Sequence, residues 1–380
     1  MSDPVALYIH IPFCVKKCIY CDFYSDTDLS LIPAYLQALK KEIKAGPGSD
    51  KTIETLYFGG GTPSVLAAYE IEQILLTVQE KFNLSSRVEI TFEINPGTID
   101  LTKLTDYFSL GINRLSVGVQ SFNDEKLLFL NRIHTAGQAI DSIEDATKAG
   151  FENMGLDLIY GLPFESSDLW QDDLNYAINK SPSHLSCYML TIEPFTPLYD
   201  RVATGVITPL ISEKQSDMFQ QTALFLTQKG YEHYEISNFA KGMGTRSRHN
   251  SAYWQLKSYR GFGAAAHSFD GTHRFWNHSD IKKYINDIQF KRLPIENKEE
   301  LTQQQQMTET IMLGLRTLDG IDTSGFEQVF KVSFSSMFEK VIDNICDNRL
   351  GGFQHERFSL NLDGKMRLNN IVEAFVEYIV

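Results

Sequence analysis

The sequence predicts an α/β fold, a partial (β/α)6 TIM-like barrel followed by a smaller C-terminal winged-helix-like domain. Apolar runs rich in β-branched residues alternate with amphipathic stretches over roughly the first 230 residues, a pattern typical of parallel βα units. Polar or glycine-rich residues follow most of these runs, as they do at the carboxyl ends of barrel strands, where active sites form. The pattern changes near residue 290, so we expect domains at 1–289 and 290–380.

Six runs of the first domain have strand character, and amphipathic stretches between them predict helices. The predicted strands are Val5–Ile11, Thr52–Phe58, Val88–Glu93, Arg114–Val119, Asn153–Ile159 and His184–Leu190. The predicted helices include Pro33–Lys44, Ile71–Phe82 and Ser212–Lys229. Six strands are fewer than the eight of a closed barrel, so we expect an open or partial one.

The C-terminal domain reads as helices followed by a hairpin. Helical periodicity covers Met307–Arg316 and Ser335–Asn348. The dipeptide Asp363-Gly364 between two short apolar runs predicts a tight hairpin turn, and a last helix is expected at Ile371–Val380. Helices next to a hairpin indicate a winged-helix-like module.

Composition excludes several classes of function. The chain has 35 basic and 48 acidic residues, a net charge of −13, which disfavours nucleic acid as a partner. The first residues carry no signal peptide and no uncharged run is long enough to span a bilayer, so we expect a cytoplasmic protein without stable membrane insertion. Five cysteines, three of them within eight residues, indicate a metal or cofactor site rather than a disulfide framework.

The three clustered cysteines are Cys14, Cys18 and Cys21, and their spacing permits three interpretations. They would share one face of a helix, but Pro12 and the preceding strand make a buried helical stripe a poor fit. Zinc favours thiolates but normally takes four protein ligands, and the fourth would have to be His10 or a distant cysteine. An iron–sulfur cube held by three thiolates leaves one iron open to another ligand.

The segment YIHIPFCVKKCIYCDF resembles the cluster loop of the radical S-adenosylmethionine superfamily, in the branch that contains oxygen-independent coproporphyrinogen III oxidase. The resemblance implies a [4Fe–4S] cluster on Cys14, Cys18 and Cys21 with S-adenosylmethionine chelated at the open iron. In that superfamily an electron from the cluster cleaves the sulfonium to a 5′-deoxyadenosyl radical. It also implies an electron donor such as flavodoxin or ferredoxin.

Gly59–Pro63 follows the second predicted strand and presents bare backbone that a charged ligand can approach, although a tight turn without a ligand would look the same. The run lacks the spacing of Walker and dinucleotide motifs. It resembles the superfamily's glycine-rich motif, which implies that Gly60, Gly61 and Thr62 contact S-adenosylmethionine. The segments EINP, GVQSF, NRIH and DLIYGLP also match the branch. By this resemblance the remaining cofactor contacts are Tyr8, Tyr20, Glu93, Gln120, Arg132 and Asp157.

Two features separate this chain from the oxidases. Phe23 stands where the oxidases carry a fourth cysteine, and the cluster loop starts as early as Cys14, so we expect the N-terminal extension of the oxidases to be absent. Arg248–Trp254 resembles the HNxxYW signature of HemW, the haem chaperone family. The resemblance implies haem as ligand, transfer of haem to an acceptor such as a respiratory haem protein, and a regulatory or structural role for the cluster and S-adenosylmethionine.

The haem ligand implied by that signature is His249, since a histidine beside aromatic side chains can offer imidazole to iron and apolar surface to the macrocycle. A histidine next to Tyr and Trp is ordinarily a hydrogen-bonded core residue. His267 in GFGAAAHSF is a competitor that would otherwise line the nucleoside pocket. Two other functions stay open: radical decarboxylation of coproporphyrinogen III propionates to vinyl groups, and a zinc-dependent interaction protein.

Overall fold

The computed structural model describes residues 5–46, 48 and 50–379. Residues 1–4, Pro47, Ser49 and Val380, which the predicted domains include, lie outside the described residues. The chain forms two compact units. The first comprises residues 1–211 and 257–299, and the second 212–256 and 300–380. The sequence predicts a single boundary at residue 290, whereas the second unit also includes segment 212–256. Segment 212–256 joins the C-terminal unit because Glu235 pairs with Thr317 and Trp254 packs under the Arg316 guanidinium.

Strands and helices alternate along much of the chain. The strands are β1 (Ala6–Ile11), β2 (Ile53–Gly60), β3 (Leu84–Ile94), β4 (Arg114–Gln120), β5 (Met154–Tyr160), β6 (His184–Met189), β7 (Glu232–His233), β8 (Asn238–Ala240), β9 (Tyr259–Phe262), β10 (His267–Phe269), β11 (His273–Asn277), β12 (Ile295–Glu300), β13 (Ile321–Asp322), β14 (Gly351–Gln354) and β15 (Arg357–Leu360). The helices are α1 (Ile32–Ala45), α2 (Ala68–Lys81), α3 (Leu101–Ser109), α4 (Asp124–Phe129), α5 (Ala136–Ala149), α6 (Ser167–Asn179), α7 (Pro197–Ala203), α8 (Ser212–Gln228), α9 (Arg248–Trp254), α10 (Ile281–Gln289), α11 (Gln303–Arg316), α12 (Thr323–Phe330), α13 (Phe334–Met337), α14 (Glu339–Asp347), α15 (Leu362–Met366) and α16 (Leu368–Val376). Short 3-10 helices span Leu29–Leu31, Pro63–Val65, Pro96–Thr98 and Met243–Thr245.

The sheet of the first unit runs β12-β11-β10-β9-β1-β2-β3-β4-β5-β6. Strands β1 to β6 are parallel to their neighbours, and β9 pairs with β1 in parallel before β10 and β11 turn antiparallel. The predicted α/β fold with six parallel strands and a C-terminal domain is therefore confirmed. Because parallel strands share one direction, their carboxyl ends lie along the same edge, which brings the loops after β1 to β6 together.

The helices cover the sheet with apolar faces. On α1, for example, Tyr35, Leu39 and Ile43 are fully buried at the helical spacing of about four residues. Burying one such side chain contributes about 1.5–3 kcal/mol, so the layer of helices supplies much of the driving force for this unit.

The second unit has a phenylalanine-rich core and a small antiparallel sheet in the order β13-β15-β14. The predicted hairpin around Asp363-Gly364 is wrong. The turn lies between β14 and β15 at His355, whose φ is +56°, and Asp363 and Gly364 belong to α15. The reason is Asn361, whose side chain accepts a hydrogen bond from the Gly364 N–H at 3.0 Å and so starts a helix there.

Two predicted helices of this unit also differ in extent. The stretch predicted as Ser335–Asn348 is split into α13 and α14, which meet at Phe338, a fully buried residue of the core. The last helix covers Leu368–Val376 rather than Ile371–Val380. Among the described residues, every helix falls short of the length and apolar character needed to cross a membrane.

Candidate functional site

The loop that carries Cys14, Cys18 and Cys21 leaves the end of β1 and is held in place by neighbouring segments of the first unit. The contacts are Cys14 N–H to the Asp26 carbonyl (2.9 Å), Asn131 Nδ2 to the Lys17 carbonyl (2.9 Å) and Leu198 N–H to the Ile19 carbonyl (2.9 Å). The loop is thus hydrogen-bonded to the segment that follows it at Asp26, to the turn after α4 and to the start of α7. This fastening fixes the backbone that presents the three thiols.

All three thiols are free and partly buried. Burial raises the pKa of Cys14, and burial together with neighbouring Cys18 and Cys14 raises the pKa of Cys21 to about 11. Burial and the neighbouring cysteines thus disfavour the thiolate forms of Cys14 and Cys21, and binding to a cationic iron centre would favour those forms. The donor set fits a cluster with three thiolate ligands.

A mononuclear zinc site finds less support. Both nitrogens of His10, the proposed fourth ligand, are within hydrogen-bond distance of other groups: Nδ1 lies 3.1 Å from the Tyr8 hydroxyl and Nε2 lies 3.2 Å from the Tyr24 carbonyl oxygen. Over residues 5–46, 48 and 50–379, no three His, Cys, Asp or Glu side chains converge on one point as ligands of a single ion.

The glycine-rich run packs directly against the cysteine loop. The Gly61 N–H donates to the Ile11 carbonyl (2.9 Å) and the Thr62 N–H to the Phe13 carbonyl (2.8 Å), while Thr62 Oγ1 lies 3.4 Å from Cys14 Sγ. A Cβ on Gly61 would lie 2.7 Å from the Phe13 carbonyl oxygen. The missing side chain at position 61 is thus needed for the contact between two backbones, a role that the sequence did not reveal.

Arg132 lies beside the cluster loop, and both Arg132 and Gln120 lie close to Gly118. Arg132 Nη1 lies 3.5 Å from Cys18 Sγ, and Nη2 donates to the Gly118 carbonyl at 2.8 Å. Gly118 has no side chain, and a Cβ there would lie 3.0 Å from the Gln120 amide nitrogen and 3.2 Å from Arg132 Nη2. Burial alone lowers the pKa of Arg132, but neighbouring Tyr20 and Cys18 hold it above its usual value. The guanidinium therefore stays charged next to the thiols.

Glu93 lies at the end of β3 and is held by two donors. Tyr57 OH donates to Oε1 at 2.7 Å and the Gly60 N–H donates to Oε2 at 3.2 Å. Burial raises the pKa of Glu93 to about 7. The hydrogen bond from Tyr57 lowers this pKa, and the nearby Asp157 carboxylate raises it. Near neutral pH this carboxyl group is close to its titration midpoint.

Asp157 on β5 and Arg132 leave polar atoms available to a ligand. Ser116 Oγ donates to Asp157 Oδ2 at 2.8 Å, and burial raises the pKa of the carboxyl group. Asp157 Oδ1 and Arg132 Nε are buried without a hydrogen-bond partner within the described part of the chain. Because such atoms are costly when unpaired, a polar ligand that satisfies both would bind favourably. Of the residues predicted to contact S-adenosylmethionine, Asp157 and Arg132 thus each have a polar atom with which a ligand could pair.

Of the two predicted tyrosines, one precedes the cysteine loop and the other lies within it. Tyr8 is on β1 and stacks on Tyr57 with ring centroids 6.0 Å apart. Tyr20 lies in the loop, and burial raises its pKa although Arg132 opposes this. The Tyr20 hydroxyl is therefore neutral at ordinary pH. The structure thus brings Tyr20 together with Arg132 and Cys18, and Tyr8 together with Tyr57.

His249 and His267 differ in exposure. His249 lies on α9 of the second unit, is 1% exposed, and its Nε2 is 2.8 Å from the Tyr253 hydroxyl. Burial lowers its pKa to about 3, so the ring is neutral. His267 is exposed on β10 of the first unit and stacks on Trp276 with centroids 5.5 Å apart. Burial and then Arg274 lower its pKa.

Sequence reasoning missed Tyr57 and gave His10 no cofactor role. Tyr57 donates to Glu93, and the carbonyl of His10 accepts the Tyr35 hydroxyl at 2.7 Å. His10 is on β1, Tyr57 on β2 and Glu93 on β3, and the pairing of β1 with β2 and of β2 with β3 brings these residues near one another. The signal that could have found Tyr57 is its position two residues before the glycine run, on the strand next to the one that carries Glu93.

The raised pKa of Glu93 predicts a pH-dependent stability. Its usual value is 4.5, so between pH 4.5 and 7 the folded state binds more protons than the unfolded state, and stability falls as pH rises through this window. The fall has an upper limit of about 3 kcal/mol. We expect Glu93→Gln to remove it, as measured by urea unfolding at pH 5 and pH 8.

The matched control is Glu80→Gln, an exposed carboxylate paired with Lys44 at 3.0 Å, which should leave the pH dependence as in the unmodified protein. If Glu93→Gln shows the same difference in unfolding free energy between the two pH values as the unmodified protein, the assigned protonation of Glu93 is wrong.

Comparison with known proteins places these features in a family context. The Radical SAM superfamily profile matches residues 8–177, and the HemN C-terminal domain profile matches residues 301–367. The chain is 33% identical to the heme chaperone HemW of Lactococcus lactis, over 99% of this chain and 98% of that protein. It is 39% identical to HemW of Escherichia coli over 70% of each chain.

Among solved structures, coproporphyrinogen III oxidase (HemN) from Escherichia coli, described as a radical SAM enzyme, superimposes with a TM-score of 0.84 at 25% identity. The match covers 99% of this chain and 91% of that one. The similarity thus extends through the C-terminal residues as well as through the parallel sheet.

Proposed function

This chain belongs to the HemW haem chaperone family of the radical S-adenosylmethionine superfamily, and from that premise we propose that it binds haem and transfers it to an acceptor protein. The observation that carries the proposal is the similarity to a heme chaperone over nearly the whole of both chains. It carries a [4Fe–4S] cluster and binds S-adenosylmethionine.

The alternative, oxygen-independent coproporphyrinogen III oxidase, shares the fold. One feature of the site argues against it. Position 23, where the oxidases of this branch carry a fourth cysteine, is Phe23, and its side chain is 67% exposed on the cysteine loop. A decarboxylase must hold the substrate propionate against the reacting carbon, and such positioning is lost by displacements of about 1 Å. We therefore place haem transfer ahead of decarboxylation.

We propose that Cys14, Cys18 and Cys21 hold the cluster and that one iron is left for S-adenosylmethionine. The bound pair supplies one-electron chemistry, and the protein binds, orients and shields it. Arg132 keeps a positive charge beside Cys18, and Thr62 contacts Cys14. The proposed contacts of S-adenosylmethionine are Tyr8, Tyr20, Gly60, Gly61, Thr62, Glu93, Gln120, Arg132 and Asp157.

For haem we propose His249 as the iron ligand. Its neutral imidazole is the form that binds metals, but Nε2 must leave the Tyr253 hydroxyl before it can reach iron. His267 is already exposed and is the competing ligand. A ligand that is covered until haem arrives would suit a protein that must also release its cargo.

The acceptor and the electron donor are further parts of the proposal. The acceptor is a haem protein, with respiratory haem proteins as the class we propose, and flavodoxin or ferredoxin is the proposed electron donor. Free thiols at all five cysteines, two of them outside the cluster loop, fit a reducing compartment, so we propose that the protein acts in the cytoplasm.

The ligand assignment predicts opposite effects for two substitutions on α9. His249→Ala should weaken haem binding by at least about tenfold, since the iron–imidazole bond is lost. Tyr253→Phe should tighten it by about threefold to tenfold, because the hydrogen bond that competes for Nε2 contributes about 1 kcal/mol. Haem titration followed by the Soret band measures both.

His267→Ala is the matched control and should bind haem as the unmodified protein does. Should His267→Ala lose affinity while His249→Ala keeps it, the ligand is His267 and the assignment on α9 is wrong. Absence of haem binding by the unmodified protein would remove the proposed function itself.

A further inference from the structure

A buried group of three charged side chains lies in the first unit, next to the loops that follow β4 and β5. Lys126 on α4 is fully buried, and its ammonium group donates to Glu165 Oε1 and to Asp173 Oδ2, the latter at 2.6 Å. Both carboxylates are at most 3% exposed. The ammonium group also lies 5.4 Å from the centre of the Trp170 ring. We call Lys126, Glu165 and Asp173 the buried triad.

The carboxylates of the buried triad hold two strand-end loops. Asp173 accepts from Ser121 Oγ at 2.7 Å and from the Phe122 N–H at 2.6 Å, immediately after Gln120 ends β4. Glu165 Oε2 accepts from the N–H groups of residues 161 and 162 at 2.6 and 3.0 Å, immediately after β5, the strand of Asp157. Gln120 itself has φ +65°, a backbone conformation that its surroundings must enforce.

The lysine of the buried triad is connected to Arg132 through the turn that ends α4. The Leu130 N–H donates to the Lys126 carbonyl at 3.0 Å, and the Arg132 N–H donates to the Leu127 carbonyl at 2.9 Å. Arg132 then lies 3.5 Å from Cys18. The buried triad is therefore linked both to the loop that follows Gln120 and, through the end of α4, to Arg132.

We propose that Lys126, Glu165 and Asp173 are positioning residues that hold Gln120 and Arg132 in the geometry that binds S-adenosylmethionine. This rests on the proposed function, which makes those two residues cofactor contacts. Apolar packing of the same volume is often as stable as a buried ion pair, so stability alone does not account for three charges here. Directed bonds to backbone N–H groups, in contrast, fix two loops in one arrangement, which a ligand site requires.

The test is the triple variant Lys126→Met, Glu165→Met, Asp173→Leu. It replaces the three charges with apolar side chains of similar size and removes the oxygens that accept from the loop N–H groups. We expect the cluster to assemble and haem to bind as in the unmodified protein, while affinity for S-adenosylmethionine falls tenfold to a hundredfold. Equilibrium dialysis gives the affinity, and the EPR spectrum of the reduced cluster reports whether S-adenosylmethionine still perturbs it.

Ser121→Ala is a milder second variant that cuts the link between Asp173 and the loop of Gln120, and it should weaken binding about threefold to tenfold. It decides the matter if the triple variant fails to fold. Leu174→Ala, on the same helix as Asp173 and buried, is the control for simple loss of stability: its unfolding temperature should fall with unchanged affinity.

Unchanged affinity in the folded triple variant, or in Ser121→Ala if the triple variant does not fold, overturns the positioning role. An equal loss of affinity in Leu174→Ala does so as well, since it would show that destabilising this helix is sufficient. Failure of the unmodified protein to bind S-adenosylmethionine is a separate outcome, which contradicts the proposed function and with it the premise of the inference.

Discussion

Alanine at Cys14, Cys18 or Cys21 is expected to abolish the cluster in each of the three single variants. Anaerobically reconstituted protein should hold about four irons per chain, with the broad absorption of thiolate-bound iron, and each variant should fall to background. A cube held by three protein thiolates has no spare ligand, and both nitrogens of His10 are engaged elsewhere. Iron and sulfide analysis together with visible absorption measures the loss.

The remaining cysteines provide the controls. Cys187 is buried on β6 and Cys346 is exposed in the second unit, so alanine at either position should leave iron content unchanged. A full cluster in any of the three loop variants would contradict the ligand assignment. Stoichiometric zinc in place of iron would support the mononuclear alternative instead.

Gly61→Ala is expected to have the second-largest effect, because it separates two backbones that the site needs in contact. The new Cβ would lie 2.7 and 2.8 Å from the carbonyl oxygen and nitrogen of Phe13 and 3.0 Å from the Ile11 carbonyl oxygen. Backbone at that distance cannot move aside without shifting the start of the cysteine loop. We expect at least half of the bound iron to be lost and the unfolding temperature to drop by several degrees, a destabilisation of about 1–3 kcal/mol.

Gly137→Ala is the matched control in the same unit. Position 137 lies in the first turn of α5, where the nearest atom to an added Cβ is Thr135 Oγ1 at 3.8 Å. Alanine favours helix by up to about 1 kcal/mol over glycine, so this variant should be neutral or slightly more stable with full iron content. If Gly61→Ala behaves in the same way, the close approach of β2 to the cysteine loop is not required for cluster assembly.

The parallel sheet was predictable because each of its strands is a local run of apolar residues in the sequence. Each of the six predicted strands corresponds to an observed one within a few residues, since buried parallel strands are continuous apolar runs. The hairpin was not predictable in the same way. An Asp-Gly pair signals a turn in isolation, but Asn361 three residues before Gly364 caps a helix, and this local competition decided the outcome.

The site was predictable in its residue types and less so in its contacts. The cysteine spacing and the strand-end motifs predict the cofactor contacts, which stay a prediction, and the fold brings Arg132 to Cys18 and Thr62 to Cys14. The buried triad was invisible from sequence, because Lys126 and Asp173 read as solvated charges on amphipathic helices. Only the structure shows that the two side chains are buried and bonded to each other.

The central claim, that this protein carries haem and does not make its precursor, is tested most directly by one paired measurement. Anaerobically reconstituted, reduced protein is divided, one half titrated with haem and the other incubated with coproporphyrinogen III and S-adenosylmethionine. We predict a saturable Soret band in the first half and unchanged coproporphyrinogen III in the second. Formation of protoporphyrinogen IX, or the absence of haem binding, would contradict the account.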